Sequence, residues 1–68
     1  MSERAVHILV ADMLEAVERI RTYTKGITFD EFLQDHKTSD AVLRNLHVLG
    51  EAANRVPEAV RMLAPEIE

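Results

Sequence analysis

Apolar residues recur every three or four positions along most of the chain, the spacing that places them on one side of an α-helix. The pattern predicts a first amphipathic helix over residues 2–25 and another long helix that ends at Val56. The predicted core stripes are Val6, Leu9, Val10, Met13, Ala16, Val17, Ile20 and Tyr23 in the first helix, and Val42, Leu46, Leu49, Ala53 and Val56 in the later one. We find no strand pattern. The predicted fold is therefore all-α, an antiparallel helical bundle.

Local signals between the two long helices predict a turn and a short second helix. Gly26 suits the left-handed position that follows a helix end. Thr28 with Glu31 three residues later forms a capping-box pattern, which predicts a short helix over residues 29–34. Asp35 is the favoured cap of the third helix.

Two prolines bound the predicted end of the chain. Pro57 is expected to stop the third helix, because the residue before proline is disfavoured in the helical conformation. It is also expected to open a short fourth helix that ends near Ala64, before Pro65.

The third helix has an unusually wide apolar side, which covers more than half of its circumference. This width predicts cover on two sides, by the chain itself and by something else. Gly50 lies within it and costs about 1 kcal/mol relative to alanine in a helix interior. Either tight helix packing or a site that needs backbone access would explain the glycine. Truncation of Leu46 to alanine is predicted to cost roughly 2–5 kcal/mol.

The remaining polar strip of the third helix is Asp40, Arg44, His47, Glu51, Asn54 and Arg55. Two acid-to-base pairs four residues apart, Asp40–Arg44 and Glu51–Arg55, favour a solvated face with ion pairs. His47 and Glu51 have the spacing of metal ligands but lack a third partner, so no metal site is predicted. Asn45 lies beside the apolar side, where a buried amide needs partners, and is predicted to make a polar contact across an interface.

Composition narrows the possible functions. The chain has 68 residues, of which 47% are apolar and 29% charged, as expected for one small folded domain, here residues 1–68. It has no cysteine, which predicts a cytoplasmic protein without disulfides or thiolate metal sites. No apolar run approaches the roughly 18–20 residues of a membrane span, so no membrane partner is expected. The net charge of −4 lacks the basic surface of an autonomous nucleic-acid binder.

Three segments resemble a known family: "ITFDEFLQD", "TSDAVLRNLHVLGEAANRVPE" and the closing "PEI". With the residues between them they are similar to the N-terminal half of the HepT-like ribonuclease toxins of the HEPN superfamily, from about Ser2 to Ile67. The resemblance implies an all-helical bundle that forms a homodimer. It also implies a metal-independent endoribonuclease without a cofactor, which a nucleotidyltransferase-fold antitoxin of the MntA kind neutralises by attaching AMP to a tyrosine.

The catalytic signature implied by the resemblance is an arginine, four to six further residues and a histidine, with the modified tyrosine close behind. No arginine of this chain has a histidine at that distance, since Arg44 precedes His47 by only three positions. Tyr23 lies in the first helix and does not fit the modified tyrosine. The expectation is therefore an N-terminal portion of a toxin subunit, whose catalytic residues and RNA substrate belong to the full-length parent.

Residues on the third helix do match recurring polar positions of the family. Arg44, Asn45 and Glu51 are implied to support the site, or to lie near bound RNA or nucleotide. The alternative hypothesis is a non-catalytic helical module that dimerises, or binds a partner, through the apolar side of the third helix.

Overall fold

The computed structural model describes residues 2–63, which form three α-helices. Helix α1 spans Ser2–Thr24, α2 spans Phe29–Gln34 and α3 spans His36–Leu63. No strand occurs within this part of the chain. The prediction of an all-α fold is confirmed, as are the bounds predicted for α2.

The corner between α1 and α2 has the predicted local structure. Gly26 has a φ of 78°, a left-handed conformation that glycine adopts without steric cost. The Glu31 backbone N–H donates to Thr28 Oγ1 at 3.1 Å, and the Thr28 backbone N–H donates to Glu31 Oε1 at 2.9 Å. These two bonds complete the capping box and satisfy amides that the first turn of α2 cannot pair internally.

Asp35 separates α2 from α3 and caps α3 as predicted. Its Oδ1 accepts from the Thr38 backbone N–H at 3.1 Å, and its Oδ2 accepts from the Thr38 hydroxyl at 2.6 Å. These hydrogen bonds, first that of the Thr38 side chain and then that of its backbone, lower the pKa of Asp35 because they stabilise the carboxylate.

The two long helices pack side by side in opposite directions. Leu9, near the start of α1, packs with Ala52 and Ala59 in the second half of α3. At the other end, Thr24 of α1 and Val42 of α3 line the same small pocket. The predicted antiparallel arrangement of α1 and α3 is therefore confirmed.

The contact between α1 and α3, here called the seam, is made mainly of small side chains. Its buried residues are Leu9, Ala16, Val42, Asn45, Ala52 and Ala59. Met13 and Val56 are half-buried against them. Half of the buried set is alanine, so the helix backbones lie close together and little apolar volume is enclosed.

Part of the predicted core lies outside the seam. Leu46 is 48% exposed and Ala53 is exposed, whereas their neighbours Asn45 and Ala52 are buried. On one side of the predicted stripe of α3, the buried positions therefore lie one residue earlier than predicted, and this part of the prediction was wrong. The rest of the stripe agrees with the structure, since Val42 is buried and Leu49 and Val56 are half-buried.

In α1, Leu9 and Ala16 are buried as predicted, and Val6, Met13 and Ile20 are half-buried. The other three members of the predicted stripe, Val10, Val17 and Tyr23, are at least 40% exposed.

The predicted break at Pro57 is also wrong, because α3 continues through this residue to Leu63. Proline removes the N–H that would bond to the carbonyl of Ala53, one helical turn earlier. Pro57 and Ala53 are both exposed, so water can reach this turn and hydrate the free carbonyl. The fourth helix predicted from Pro57 is thus the last part of α3, and its predicted end at Ala64 and Pro65 lies outside the described residues.

Candidate functional site

The two sides of the α1–α3 pair differ in chemistry. One side has an open groove of about 340 Å³, lined by Ala5, Ile8, Leu9, Asp12, Arg55, Glu58, Ala59 and Met62. Its charged residues are one arginine and two acids, so it concentrates no positive charge. This groove could not be anticipated from the sequence, because it depends on how the two helices are rotated against each other.

The three site residues predicted from the sequence do not come together at one place in the structure. Arg44 and Glu51 are both exposed, and they lie on the same side of α3, two turns or roughly 10 Å apart along its axis. Asn45 points instead into the seam, where it is 7% exposed. The structure therefore places two of the three residues on the polar strip and the third against α1.

Asn45 makes its polar contact within its own helix. Its Nδ2 donates to the carbonyl oxygen of Ala41 at 2.9 Å, one turn earlier in α3. Within residues 2–63, no buried side-chain nitrogen or oxygen lacks a partner. The amide is thus satisfied by the chain itself, and the predicted contact across an interface is not needed to explain its burial.

The polar strip makes a close side-chain contact that differs from the two pairs predicted by the four-residue spacing. Glu51 Oε2 lies 3.4 Å from His47 Nε2, and both side chains are about 70% exposed. Neither Asp40–Arg44 nor Glu51–Arg55 forms an ion pair in the described structure, although all four side chains are exposed, as predicted for a solvated face. The Glu15–Arg19 pair on α1 is present at 3.1 Å. Exposed pairs of this kind contribute little stability.

The described residues offer no ready metal site, since no group of three or more histidine and acidic side chains lies close enough to hold an ion. Within the same residues, no helix has the length and hydropathy that crossing a membrane requires.

Opposite the groove lies what we call the apolar face. The groove includes Ile8 and Asp12 of α1 and Arg55 and Glu58 of α3, which fixes that side of the pair. Successive residues of a helix are rotated by about 100° around its axis. This rotation places a set of exposed apolar residues from both helices on the side of the α1–α3 pair that faces away from the groove. They are Val10, Leu14, Val17, Leu43, Leu46 and Val60, each at least 40% exposed.

Gly50 lies on the same flank of α3 as the apolar face. A methyl group added at Gly50 would meet nothing within 4 Å. Tight packing within the chain, the first of the two explanations offered for this glycine, is therefore wrong for the residues described. The glycine leaves an open backbone surface instead.

The described residues form an all-α hairpin with an open groove on one side and an exposed apolar face on the other. Comparison with known proteins identifies the family. The sequence model described as "Ribonuclease HepT-like" matches residues 13–67. The chain belongs to the HepT-like ribonuclease family.

Curated relatives agree with this assignment. The chain is 45% identical over 58 residues to "Putative RNase MJ0127" of Methanocaldococcus jannaschii, covering 85% of this chain and 48% of that protein. It is 45% identical over 56 residues to "Probable ribonuclease HepT" of Thermococcus cleftensis, covering 82% of this chain and 51% of that protein. The chain thus spans about half the length of these relatives. No solved structure matches it significantly.

Proposed function

We propose that this chain is the N-terminal, non-catalytic portion of a HepT-like toxin subunit, whose parent is a metal-independent endoribonuclease of the cytoplasm. The observation that carries the proposal is the family match over residues 13–67, combined with the missing arginine–histidine spacing in the chain. The arginine would stabilise the charge that develops on the scissile phosphate, and the histidine would transfer a proton. In this proposal both residues belong to the half of the relatives that this chain does not match.

The geometry of α3 is consistent with a supporting role for its polar strip. Arg44 and Glu51 are both exposed on one side of the helix, where RNA, nucleotide or a neighbouring helix could reach them. The single histidine there, His47, is adjacent to a carboxylate rather than to an arginine. A net charge of −4 gives this segment little attraction for a polyanion. We therefore assign Arg44 and Glu51 a supporting role, and Asn45 a structural one in the seam.

The proposed partners follow the family rather than any contact in the structure. The parent subunit would form a homodimer and act on RNA, and a nucleotidyltransferase-fold antitoxin would neutralise it by attaching AMP to a tyrosine. Tyr23 lies at the end of α1 with no histidine nearby in sequence, so it is not the proposed acceptor.

Incubation of the purified chain with mixed RNA tests the proposal, once with EDTA and once with Mg²⁺. We expect intact RNA in both, whereas the full-length Thermococcus cleftensis relative should cleave RNA in EDTA. Cleavage by the chain that is lost in Arg44→Ala or His47→Ala, but kept in Arg19→Ala, would instead place an active site on α3. An inactive full-length relative would remove the ribonuclease activity proposed for the parent.

The second candidate is a non-catalytic helical module that dimerises or binds a protein partner. The exposed apolar face favours it, because large uncovered apolar patches mark interaction surfaces. Under this alternative the full-length relative and the chain would both leave RNA intact, while the chain would still associate.

A further inference from the structure

The chain exposes more surface than a closed domain of its size. Its accessible surface is 5720 Å², whereas a compact folded chain of 7.7 kDa exposes about 4,300 Å². Its radius of gyration is 15.6 Å, compared with about 11 Å for a compact domain of 68 residues. The excess, about 1,400 Å², is larger than the roughly 800 Å² that one partner buries in a standard interface.

Part of the uncovered surface is the apolar face. Leu14 is 66% exposed and Leu43 is 61% exposed, although each belongs to a long, regular helix. An obligate interface resembles a domain core cut in half, and exposed aliphatic side chains along both long helices have that character.

Gly50 supports the same conclusion independently. A glycine in a helix interior costs about 1 kcal/mol relative to alanine, and no contact within the described chain requires it. Together with the exposed Ala53 it leaves a shallow surface between Leu46 and Val60. A surface without side chains allows a second helix to approach closely.

We infer that the apolar face is the docking surface for a helical segment corresponding to the half of the relatives that this chain does not match. The length comparison selects this occupant: the two relatives above are about twice as long as the segment that they share with this chain. An apolar face extending along both α1 and α3 would accept a helix laid against the pair, and the docked segment would bury the excess surface. This inference rests on the proposed function, since that segment is also where we place the catalytic residues.

A binding experiment between separate polypeptides tests the inference. The probe is the part of the Thermococcus cleftensis relative outside its matched 56 residues, and the chain is used in full. We expect a one-to-one complex by light scattering and titration calorimetry. The relative's own two parts, mixed in the same way, provide the positive control.

Variants locate the contact. Leu14→Lys should weaken the complex by about tenfold or more, because a lysine would be buried in an apolar interface. Ile8→Lys is the matched control: Ile8 is also exposed on α1 but lines the opposite groove, so it should change the affinity by less than about twofold. Gly50→Leu should preserve the helical circular dichroism of the chain and still weaken the complex, because its side chain meets nothing until a partner docks.

Three results would overturn the inference. The first is no association with this chain while the relative's own parts associate. The second is equal weakening by Leu14→Lys and Ile8→Lys. The third is a stable homodimer of the chain, built on the apolar face, that the probe does not displace. A complex that forms as expected but leaves RNA intact would count against the proposed ribonuclease function and leave the docking surface established.

Discussion

The seam between α1 and α3 contains mainly small side chains, whereas the apolar face of the same two helices carries large ones. Ala16, Ala52 and Ala59 are each no more than 6% exposed, while Leu14 and Leu43 are more than 60% exposed. Burying a leucine contributes about 1.5–3 kcal/mol, several times as much as burying a methyl group. The seam therefore fixes how closely and in which direction the helices pack. The large side chains of the apolar face remain exposed and contribute little of this energy within the described chain.

The largest expected loss of stability follows from truncating one of the few large side chains in the seam. Leu9→Ala should destabilise the chain by about 2–5 kcal/mol, enough to leave much of it unfolded, because Leu9 is 6% exposed and its loss leaves a cavity. Leu46→Ala should cost no more than about 1 kcal/mol, since the side chain is already 48% exposed.

Urea unfolding followed by circular dichroism, at low protein concentration to limit association, measures both changes. Equal costs for the two substitutions would mean that Leu46 is as buried as Leu9, and the distinction between seam and apolar face would fail.

The corner of the fold could be predicted from sequence because its structure is local. Thr28 and Glu31 bond to each other's backbone, Gly26 takes the one conformation that other residues avoid, and Asp35 bonds to Thr38. Each of these interactions joins residues no more than three positions apart, so residue types and spacing suffice to identify it.

The rotation of the long helices could not be predicted in the same way. The apolar side of α3 is so wide that several rotations of the helix would bury apolar residues against α1. Hydrophobicity alone favours the rotation that buries Leu46 and Ala53. The structure selects Asn45 and Ala52, because close helix packing favours small side chains and Asn45 satisfies its amide on Ala41. The groove and the apolar face both depend on this rotation, so neither could be identified from the sequence.

The two glycines should respond oppositely to the same substitution. Gly26→Ala should destabilise the chain by about 1–2 kcal/mol, because its φ of 78° is unfavourable for a residue with a side chain. Gly50→Ala should stabilise it by about 1 kcal/mol, because Gly50 is helical and an added methyl group meets nothing.

Thermal unfolding of the two variants and of the wild type shows whether each substitution lowers or raises the stability of the chain. A destabilising Gly50→Ala would mean that the chain itself packs against Gly50. Gly50 would then give no support to a docked partner outside the chain.

The smallest expected change in stability comes from the Asp35 carboxylate that caps α3. This cap lies away from both the seam and the apolar face. Hydrogen bonds from Thr38 lower the pKa of Asp35 in the folded chain. The carboxylate therefore stabilises the fold at pH values above the ordinary pKa of aspartate, and this stabilisation is lost as the pH falls through the lowered pKa. Asp35→Ala should lower the melting temperature at neutral pH, and its difference from wild type should shrink as the solution is acidified through that range.

Asp40→Ala, at an exposed aspartate further along α3, is the control and should show a smaller, less pH-dependent change. Because the six side chains of the apolar face carry no titratable group, loss of the Asp35 cap should weaken the hairpin without changing the affinity of the folded chain for a docked helix. A constant difference between Asp35→Ala and wild type from neutral to acidic pH would show that the carboxylate does not stabilise the helix through its charge. A changed affinity in Asp35→Ala at neutral pH, with the chain fully folded, would show that the docking surface extends to the corner at α2.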